Sequence, residues 1–275
     1  MMITTYCGFV AIVGRPNVGK STLFNKLLGH KVSIISSKQQ TTRNIILGIN
    51  TDGPYQAIYV DTPGINIENR LMNRVASSYI YNVDFIIFVV EETNWKNDDE
   101  IIFNKLCKVH CPVLLAINKV DNVKDKKKLL PYINLLSNKK INFLDILPIC
   151  ANNGINVDNL SLIVRNKLPS AVHYFNKNYI TDRSNKFIIS EIIREKLIFY
   201  LDKELPYTIK VDIKNIIINN SCYDINCIIL TDYVGHKKII IGKNGNMIKN
   251  IGIAARKDIE KILKNKVYLN LWVKN

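Results

Sequence analysis

The chain has 275 residues, of which 47% are hydrophobic and 22% charged, as in a globular protein of one large or two ordinary domains. This composition excludes a disordered, collagen-like or disulfide-scaffold protein. The longest apolar run, Phe85–Val90, is far shorter than the roughly 18 residues of a membrane-spanning helix. Because the first ten residues have no basic cluster ahead of an apolar run, we expect a cytoplasmic protein.

The net charge of +15 favours an anionic partner such as RNA, the ribosome or a membrane surface. Lys outnumbers Arg by 30 to 8, however, and an AT-rich genome produces that bias without selection for binding. The excess is also spread out, with 20 basic and 13 acidic residues in 1–170 and 18 and 10 in 171–275. Charge alone therefore leaves both interpretations open.

Up to residue 169, short β-branched runs alternate with amphipathic segments, which is typical of βαβ units around a mostly parallel sheet. We predict six strands: Phe9–Val13, Ile45–Asn50, Gln56–Asp61, Phe85–Val90, Val113–Asn118 and Leu144–Ile149. We predict five helices: Lys20–Leu28, Leu71–Tyr81, Asp99–Val109, Asp125–Leu136 and Val157–Lys167. An α/β domain should therefore span residues 1–169.

Beyond it, the weakly periodic stretch 170–187 is expected to be a linker, and the element order then changes. We predict a helix opened by Ser190 as its cap, strand-like runs at Thr208–Asn219, Tyr223–Thr231 and Lys238–Ile241, a helix-rich run to Leu263 and a strand Val267–Val273. An αββααβ order indicates a separate, small α+β domain over residues 188–275.

The first chemical motif fits the phosphate-binding pattern G-x-x-x-x-G-K-[ST] and lies directly between a predicted strand and a predicted helix. Such a loop surrounds phosphates with backbone N–H groups at a helix N-terminus. Lys20 would reach the β- and γ-phosphates, and the Ser21 hydroxyl would bind Mg²⁺. The predicted phosphate loop consists of Gly14, Arg15, Pro16, Asn17, Val18, Gly19, Lys20 and Ser21.

Two further motifs follow strands at the same sheet edge. In Asp61-Thr62-Pro63-Gly64, the carboxylate would hold the metal through water and the Gly64 N–H would bond a γ-phosphate. In Asn118-Lys119-Val120-Asp121, the Asp121 carboxylate would accept both the N1–H and the amino group of guanine, a donor pair that adenine lacks. Asn118 would brace this loop, and the turn Cys150-Ala151-Asn152 would lie against the base. Together the motifs predict guanine-nucleotide binding.

These motifs and the segment Gln40-Thr41-Thr42-Arg43 resemble the Era family of bacterial GTPases over nearly the whole chain. The resemblance implies a P-loop GTPase domain followed by a type II KH domain. It also implies that Thr42, in the switch segment Thr41 to Arg43, closes on Mg²⁺ and the γ-phosphate when GTP is bound. The family usually carries Ser at the position of Cys150. Since the Ala151 N–H remains able to act, we expect a minor effect.

The predicted catalytic machinery lacks a water-orienting glutamine, because Ile65 stands where Ras-like enzymes carry one. The family is similar in having a hydrophobic residue there, which implies slow intrinsic hydrolysis. Asn17 resembles the position by which related GTPases hold a potassium ion, so K⁺ is an expected second cofactor beside Mg²⁺. Arg15, Arg43 or a ribosomal group are the alternative sources of positive charge.

In the second domain, Gly242-Lys243-Asn244-Gly245 joins the predicted β-run to a helix, as in KH domains, whose G-x-x-G loop clamps an RNA backbone. The predicted additional phosphate contacts are Lys249, Arg256 and Lys257, and Ile248 and Ile251 would form the floor of the groove. A plain turn before a solvated charged helix is the alternative interpretation.

The Era resemblance implies an rRNA target, the 3′ end of 16S RNA, a role in small (30S) subunit assembly under control of the GTP state, and a peripheral contact with the inner membrane. DNA is not an expected partner. Relatives usually continue through a further C-terminal segment beyond Leu271–Asn275. The alternative function is a signalling GTPase whose second domain binds protein or membrane without RNA specificity.

Overall fold

The structure is a computed structural model that describes residues 4–35, 45–64, 80–139, 141, 143–201, 205–219 and 222–275. It divides the chain into two compact units, one ending at Asp182 and the other starting at Arg183. The predicted switch residues Thr41, Thr42 and Arg43, together with Ile65 and most of the predicted helix Leu71–Tyr81, lie outside the described residues.

Among its described residues, unit 1 contains a six-stranded sheet in the order β2-β3-β1-β4-β5-β6. Its strands are β1 (Tyr6–Val13), β2 (Ile46–Asp52), β3 (Tyr55–Asp61), β4 (Phe85–Glu91), β5 (Val113–Asn118) and β6 (Asp145–Pro148). Only the β2–β3 pair is antiparallel among the strand pairs of this sheet. The expected mostly parallel α/β sheet is therefore confirmed, and β4 and β5 are apolar and almost entirely buried because helices cover such sheets on both faces.

The described helices of unit 1 are α1 (Lys20–Leu28), α2 (Asn97–Leu106), α3 (Leu129–Ser137) and α4 (Val157–Arg165). The predicted helix Asp125–Leu136 begins later than expected, after a 3₁₀ turn at Lys126–Lys128. Pro131 explains the shift, because proline has no N–H to donate and fits only the first turn of an α-helix.

The predicted linker 170–187 is not a linker over its first part. The Ala171 N–H donates to the Thr5 carbonyl at 3.0 Å, and the Ile49 N–H donates to the Ile180 carbonyl at 2.8 Å. Ile49 belongs to β2, the edge strand, whose outward backbone groups need partners. The segment up to Asp182 is accordingly part of unit 1.

Unit 2 has the expected αββααβ order, with one short helix added before its first strand. Its elements are α5 (Asn185–Tyr200), α6 (Leu205–Thr208), β7 (Lys210–Asn219), β8 (Cys222–Leu230), α7 (Val234–Ile241), α8 (Asn246–Leu263) and β9 (Lys266–Lys274). Strand β8 lies in the middle, antiparallel to β7 and parallel to β9. One sheet face packs on α5 and α8 around a core that includes Ile193, Ile225 and Ile251.

Two local predictions in unit 2 are wrong. The first helix starts at Asn185, and its cap is Ser184, whose Oγ accepts from the Phe187 N–H at 3.3 Å, whereas Ser190 lies inside the helix. The predicted β-run Lys238–Ile241 is the end of helix α7. A short apolar run such as Ile239–Ile241 fits either a strand or a helix, so its pattern alone did not distinguish the two.

Candidate functional site

Residues 14–19 of the predicted phosphate loop connect β1 to α1, and the glycines there allow close approach of neighbouring groups. A Cβ at Gly14 would lie 2.4 Å from the Val89 carbonyl oxygen, and one at Gly19 would lie 2.3 Å from the Asn118 side-chain nitrogen. Gly19 also has a φ of 97°, in the left-handed region. The loop is therefore held against the ends of neighbouring strands.

Asn118 joins three of the predicted loops. Its Nδ2 donates to the Val18 carbonyl in the phosphate loop at 2.8 Å. Its Oδ1 accepts from the Ala151 N–H in the turn after β6 at 2.9 Å. Since Asn118 is only 2% exposed, these contacts brace the phosphate loop and both base-side segments. In this structure the Ala151 N–H, expected to act at the base, is engaged by Asn118.

Arg15 and Lys119 belong to a charged network that the sequence did not reveal. The Arg15 guanidinium lies 2.6 Å from Glu91 and 3.1 Å from Asp99. The Lys119 ammonium also pairs with Glu91 and donates to the Asn17 carbonyl at 2.8 Å. Burial alone would raise the pKa of Glu91, but hydrogen bonds from Lys119 and Arg15 outweigh burial and lower it. Two carboxylates thus already balance the charge of buried Arg15, which argues against Arg15 as the source of catalytic charge.

Lys20 and Asp61 form the polar corner at the start of α1. The Lys20 ammonium donates to the Arg15 carbonyl at 2.8 Å. Burial lowers the pKa of Lys20 to about 8, although Asp61 acts in the opposite direction. A positive charge that is poorly solvated in this way is well suited to meet an anion.

Asp61 is fully buried beside two hydroxyl groups. Its Oδ2 accepts from Ser21 Oγ at 2.9 Å and from Ser33 Oγ at 2.7 Å. Burial raises the pKa of Asp61, against hydrogen bonds from both serines and the charge of Lys20. Its Oδ1 is buried and has no hydrogen-bond partner among the described residues. Carboxylate and hydroxyl oxygens are the ligands of Mg²⁺, so this corner fits a magnesium ion.

Ser33 is a site residue that sequence reasoning missed. Asn25, on α1, fixes it with three hydrogen bonds: the Asn25 Oδ1 accepts from the Val32 and Ser33 N–H groups at 2.8 and 2.9 Å, and the Asn25 Nδ2 donates to the Ser33 carbonyl at 2.8 Å. No motif marks this serine. Its position eight residues before the predicted switch residue Thr41 was the one available signal.

On the base side, Asp121 is exposed within a short 3₁₀ turn, Val120–Asn122. Lys119, directly before this turn, has a φ of 62°. Cys150 is 1% exposed, and burial together with a hydrogen bond to Asp121 raises the pKa of its thiol. The thiol therefore contacts the carboxylate predicted to read the base. On the phosphate side, Thr62, the second residue of the D-x-x-G motif, is buried, and its hydroxyl donates to the Ile12 carbonyl at 2.9 Å.

In unit 2 the G-x-x-G residues connect α7 to α8 rather than a strand to a helix. Gly242 and Gly245 both have a φ of 74°, and a Cβ at Gly242 would lie 2.5 Å from that of Met247. Lys243 and Asn244 are exposed at the tip. The loop thus presents two polar side chains between glycines whose positive φ angles cost them no steric strain.

An open cleft follows this loop between α8 and the edge strand β9. Its lining comprises Ile248, Lys249, Gly252, Ile253, Arg256, Tyr268, Leu269, Asn270 and Leu271. Of the predicted RNA-binding residues beyond the loop, Lys249 and Arg256 line the cleft and Lys257 does not. Ile251 is fully buried in the core, so its predicted place in the groove floor is wrong. The contribution of β9 was not predicted.

The fold and these loops define a P-loop GTPase joined to a KH domain. Residues 9–119 match the family described as 50S ribosome-binding GTPase, and residues 204–275 match the KH domain. The chain is 59% identical to the GTPase Era of Yersinia enterocolitica over 98% of this chain and 91% of that protein. It is 58% identical to the GTPase Era of Yersinia pestis over the same shares. The chain belongs to the Era family of GTPases.

Two solved structures are similar to the whole chain. An Aquifex aeolicus Era bound to GDP·AlF4⁻ has a TM-score of 0.91 and 39% identity, covering 98% of this chain and 94% of that one. An Era in complex with MgGDPNP and nucleotides 1506–1542 of 16S ribosomal RNA has a TM-score of 0.91 and 38% identity, covering 98% and 93%. Within the described residues, none of the helices has the length and apolarity needed to cross a bilayer.

Proposed function

We propose that the loops of unit 1 bind GTP with a fixed division of roles. The N–H groups of residues 14–21 and the Lys20 ammonium would bind the phosphates, and Asp61 to Gly64 would face the γ-phosphate. Asp121 would accept the two guanine donors, with Cys150 beside it. The double anchoring of Asn118 supports this assignment, because it holds the phosphate and base segments in one arrangement.

Mg²⁺ is the proposed cofactor at the Ser21 and Asp61 corner. When bound, it supplies positive charge that offsets the phosphates. The buried Asp61 Oδ1, which lacks a partner among the described residues, favours a cation or its water there. Thr42 is the proposed third protein group and lies outside the described residues.

The base assignment is tested by Asp121→Asn. The new amide can donate to the C2 carbonyl of xanthine but can no longer accept two donors from guanine, so preference should shift from GTP to xanthosine triphosphate. Competition binding of both nucleotides measures this shift. Asp158→Asn, an equal change at an exposed position of α4, is the control. Unchanged GTP preference in the Asp121 variant would remove the base-reading role.

We propose further that unit 2 binds single-stranded RNA, with the 3′ end of 16S rRNA as target and small-subunit assembly as the process. The observation that carries this proposal is the exposed Lys243 and Asn244 loop leading into the α8–β9 cleft. A loop of this form brings its backbone and lysine close to RNA phosphates. The similar Era chain that was crystallised with nucleotides 1506–1542 of 16S RNA supports the choice of target.

Lys243→Asp combined with Asn244→Asp tests the RNA site. The added negative charge should lower the affinity for a 16S 3′-end oligonucleotide at least tenfold, while hydrolysis of GTP without RNA persists. The control is Asn250→Asp with Lys261→Asp, which makes the same charge change at two α8 positions outside the cleft. Normal oligonucleotide binding by the first variant would contradict the assignment.

The alternative function, a signalling GTPase with a membrane or protein partner, makes a different prediction. Filter binding at two salt concentrations should show specific retention of the 16S oligonucleotide over a scrambled one if RNA is the partner. Cosedimentation with anionic vesicles tests the proposed peripheral inner-membrane contact of this otherwise cytoplasmic protein. Vesicle binding without oligonucleotide preference would favour the alternative.

A further inference from the structure

The three-stranded sheet of unit 2 has one face in the core and one in solvent. Along β9, Val267 is 3% exposed and faces the core, whereas Tyr268 is 67% and Trp272 is 50% exposed. Side chains of a strand alternate between faces, so the solvent face of β9 carries Lys266, Tyr268, Asn270, Trp272 and Lys274. We call this solvent side of β7, β8 and β9 the open face. Its edge strand holds two aromatic rings between two lysines.

The neighbouring strands complete the open face with polar and apolar groups. The Asn270 Nδ2 donates to Asp224 and Asn226 of β8, at 3.1 Å each. Trp272 lies beside Ile228 in register, and both line a shallow cleft with Lys214 and Asn215 of β7 and with Asn226 and Lys274. The asparagine contacts fix polar groups between the two rings.

The charge of the open face is positive. The register of β7 against β8 shifts between Ile213 and Asn215. Four lysines lie on the open face or at this shift: Lys210, Lys214, Lys266 and Lys274. Two carboxylates oppose them, Asp212 and Asp224, and Asp212 pairs with Lys214 at 2.6 Å. Lysines around exposed aromatic rings are the combination that binds single-stranded nucleic acid, in which bases stack on rings and phosphates meet the positive charge.

We propose that the open face is a second RNA-binding surface, on which Tyr268 and Trp272 stack bases and Lys266 and Lys274 contact phosphates. The two rings are four residues apart on one strand, which is about 13 Å. The open face is continuous with the α8–β9 cleft, because Tyr268 and Asn270 of edge strand β9 also line that cleft. This proposal rests on the proposed RNA binding. An RNA chain that leaves the cleft would cross β9 onto the open face.

The experiment compares two RNA lengths in the full chain. A G-x-x-G cleft holds about four nucleotides, so an oligonucleotide of about six should occupy the cleft and one of about fourteen should also reach the open face. Trp272→Ala should weaken binding of the longer RNA by roughly five- to 150-fold, the range expected for one lost stacked base, and should leave binding of the shorter RNA unchanged. Trp272→Phe, which keeps a ring, should restore most of the affinity. Phe199→Ala, at an exposed ring on α5, is the matched control.

Fluorescence gives an independent readout. With Trp95→Phe as background, Trp272 is the sole tryptophan of the chain, and its emission should be quenched by the longer RNA and not by the shorter. The proposal would be overturned if Trp272→Ala weakened binding of both RNA lengths equally, or if the longer RNA did not quench Trp272 emission. Dimerisation in sedimentation that depends on Trp272, with RNA affinity unaffected, would instead assign the open face to a second copy of the chain.

The cleft variant separates the two proposals. If Lys243→Asp with Asn244→Asp retains tight binding and Trp272 quenching by the longer RNA, the cleft assignment fails and the open face stands. If that variant binds neither RNA, and if the longer RNA does not quench Trp272 when the loop is unchanged, the cleft assignment stands and the open-face assignment fails.

Discussion

The residue that ties Asp61 to the segment following α1 is Ser33. Its hydroxyl donates to Asp61 Oδ2, and Asn25 holds its backbone against α1. Ser33→Ala would leave Asp61 with Ser21 as its one described hydroxyl partner, so the carboxylate would be less well fixed for a hydrated metal. We expect the Mg²⁺ concentration at half-maximal nucleotide binding to rise about fivefold, which corresponds to about 1 kcal/mol for one hydrogen bond.

A Mg²⁺ titration with a fluorescent GDP analogue measures this change without relying on turnover. Ser33→Thr keeps the hydroxyl and should behave more like wild type than Ser33→Ala does. Ser137→Ala, at an exposed serine of α3, is the control. An unchanged Mg²⁺ requirement in Ser33→Ala would show that Ser21 alone positions Asp61.

Asn17 carries the prediction about catalytic charge. Its φ of 66° places it in the left-handed region at the tip of the phosphate loop, and its carbonyl accepts from Lys119. If its side chain helps to hold a monovalent cation, potassium should accelerate GTP hydrolysis relative to sodium at equal ionic strength. Asn17→Ala should erase that difference with a modest loss of GTP affinity, and Asn104→Ala, at an exposed position of α2, should not. Equal rates in the two salts would favour Arg43 or a group supplied by the ribosome.

At the scale of elements, the features that could be predicted from the sequence are those that a local pattern determines, such as apolar strands and contiguous motifs. Strands β4 and β5 are runs of apolar residues with a parallel-sheet signature, and three nucleotide motifs are contiguous in sequence. The Glu91 and Asp99 partners of Arg15 were not predictable, because they come from distant segments and belong to no motif. Helix α7 was assigned as a strand because Ile239–Ile241 fits both periods.

Strand β8 contains a buried thiol, Cys227, that should make the stability of the protein depend on pH. Burial, aided by the Asp212 carboxylate, raises the pKa of the Cys227 thiol to about 12 from its ordinary value near 9. Above pH 9 the unfolded chain releases this proton and the folded chain retains it, so the free energy of unfolding should fall as pH rises. Between about pH 9 and pH 12, the loss of unfolding free energy from this group approaches about 1.4 kcal/mol per pH unit.

Urea unfolding followed by Trp272 fluorescence, in the Trp95→Phe background, measures this slope between pH 8 and pH 10. Cys227→Ala should be less stable at every pH because it leaves a cavity, yet its stability should fall less steeply with pH. Cys222→Ala, at a half-buried cysteine of the same strand, should keep the wild-type slope. A slope that is the same in all three proteins would mean that Cys227 does not titrate as described.

At the scale of the whole molecule, β2 follows the predicted switch segment in the chain and is hydrogen-bonded to the last residues of unit 1. This strand begins at Ile46, three residues after the predicted switch residue Arg43. It binds the residues that precede Arg183: the Thr181 hydroxyl donates to the Leu47 carbonyl at 2.7 Å, and the Leu47 N–H donates to Asp182 at 3.2 Å. A rearrangement of the switch that moves β2 therefore acts on the last residues before unit 2.

This connection predicts reciprocal coupling between GTP and RNA. If the GTP state raises RNA affinity by some factor, RNA must raise GTP affinity by the same factor, and such factors are typically about five to 150. One factor is the ratio of oligonucleotide affinities measured with a GTP analogue and with GDP. The other factor is the ratio of GTP-analogue affinities measured with and without RNA. In the wild-type protein we expect the two factors to be equal. Thr181→Ala with Asp182→Ala should bring both factors close to one, because the side-chain contacts to β2 are lost, while RNA affinity with GDP stays unchanged. Thr5→Ala, which removes a similar hydrogen bond to Ala171 at the far end of the same segment, should leave both factors at the wild-type value. Full coupling in the double variant would show that β2 does not carry the signal.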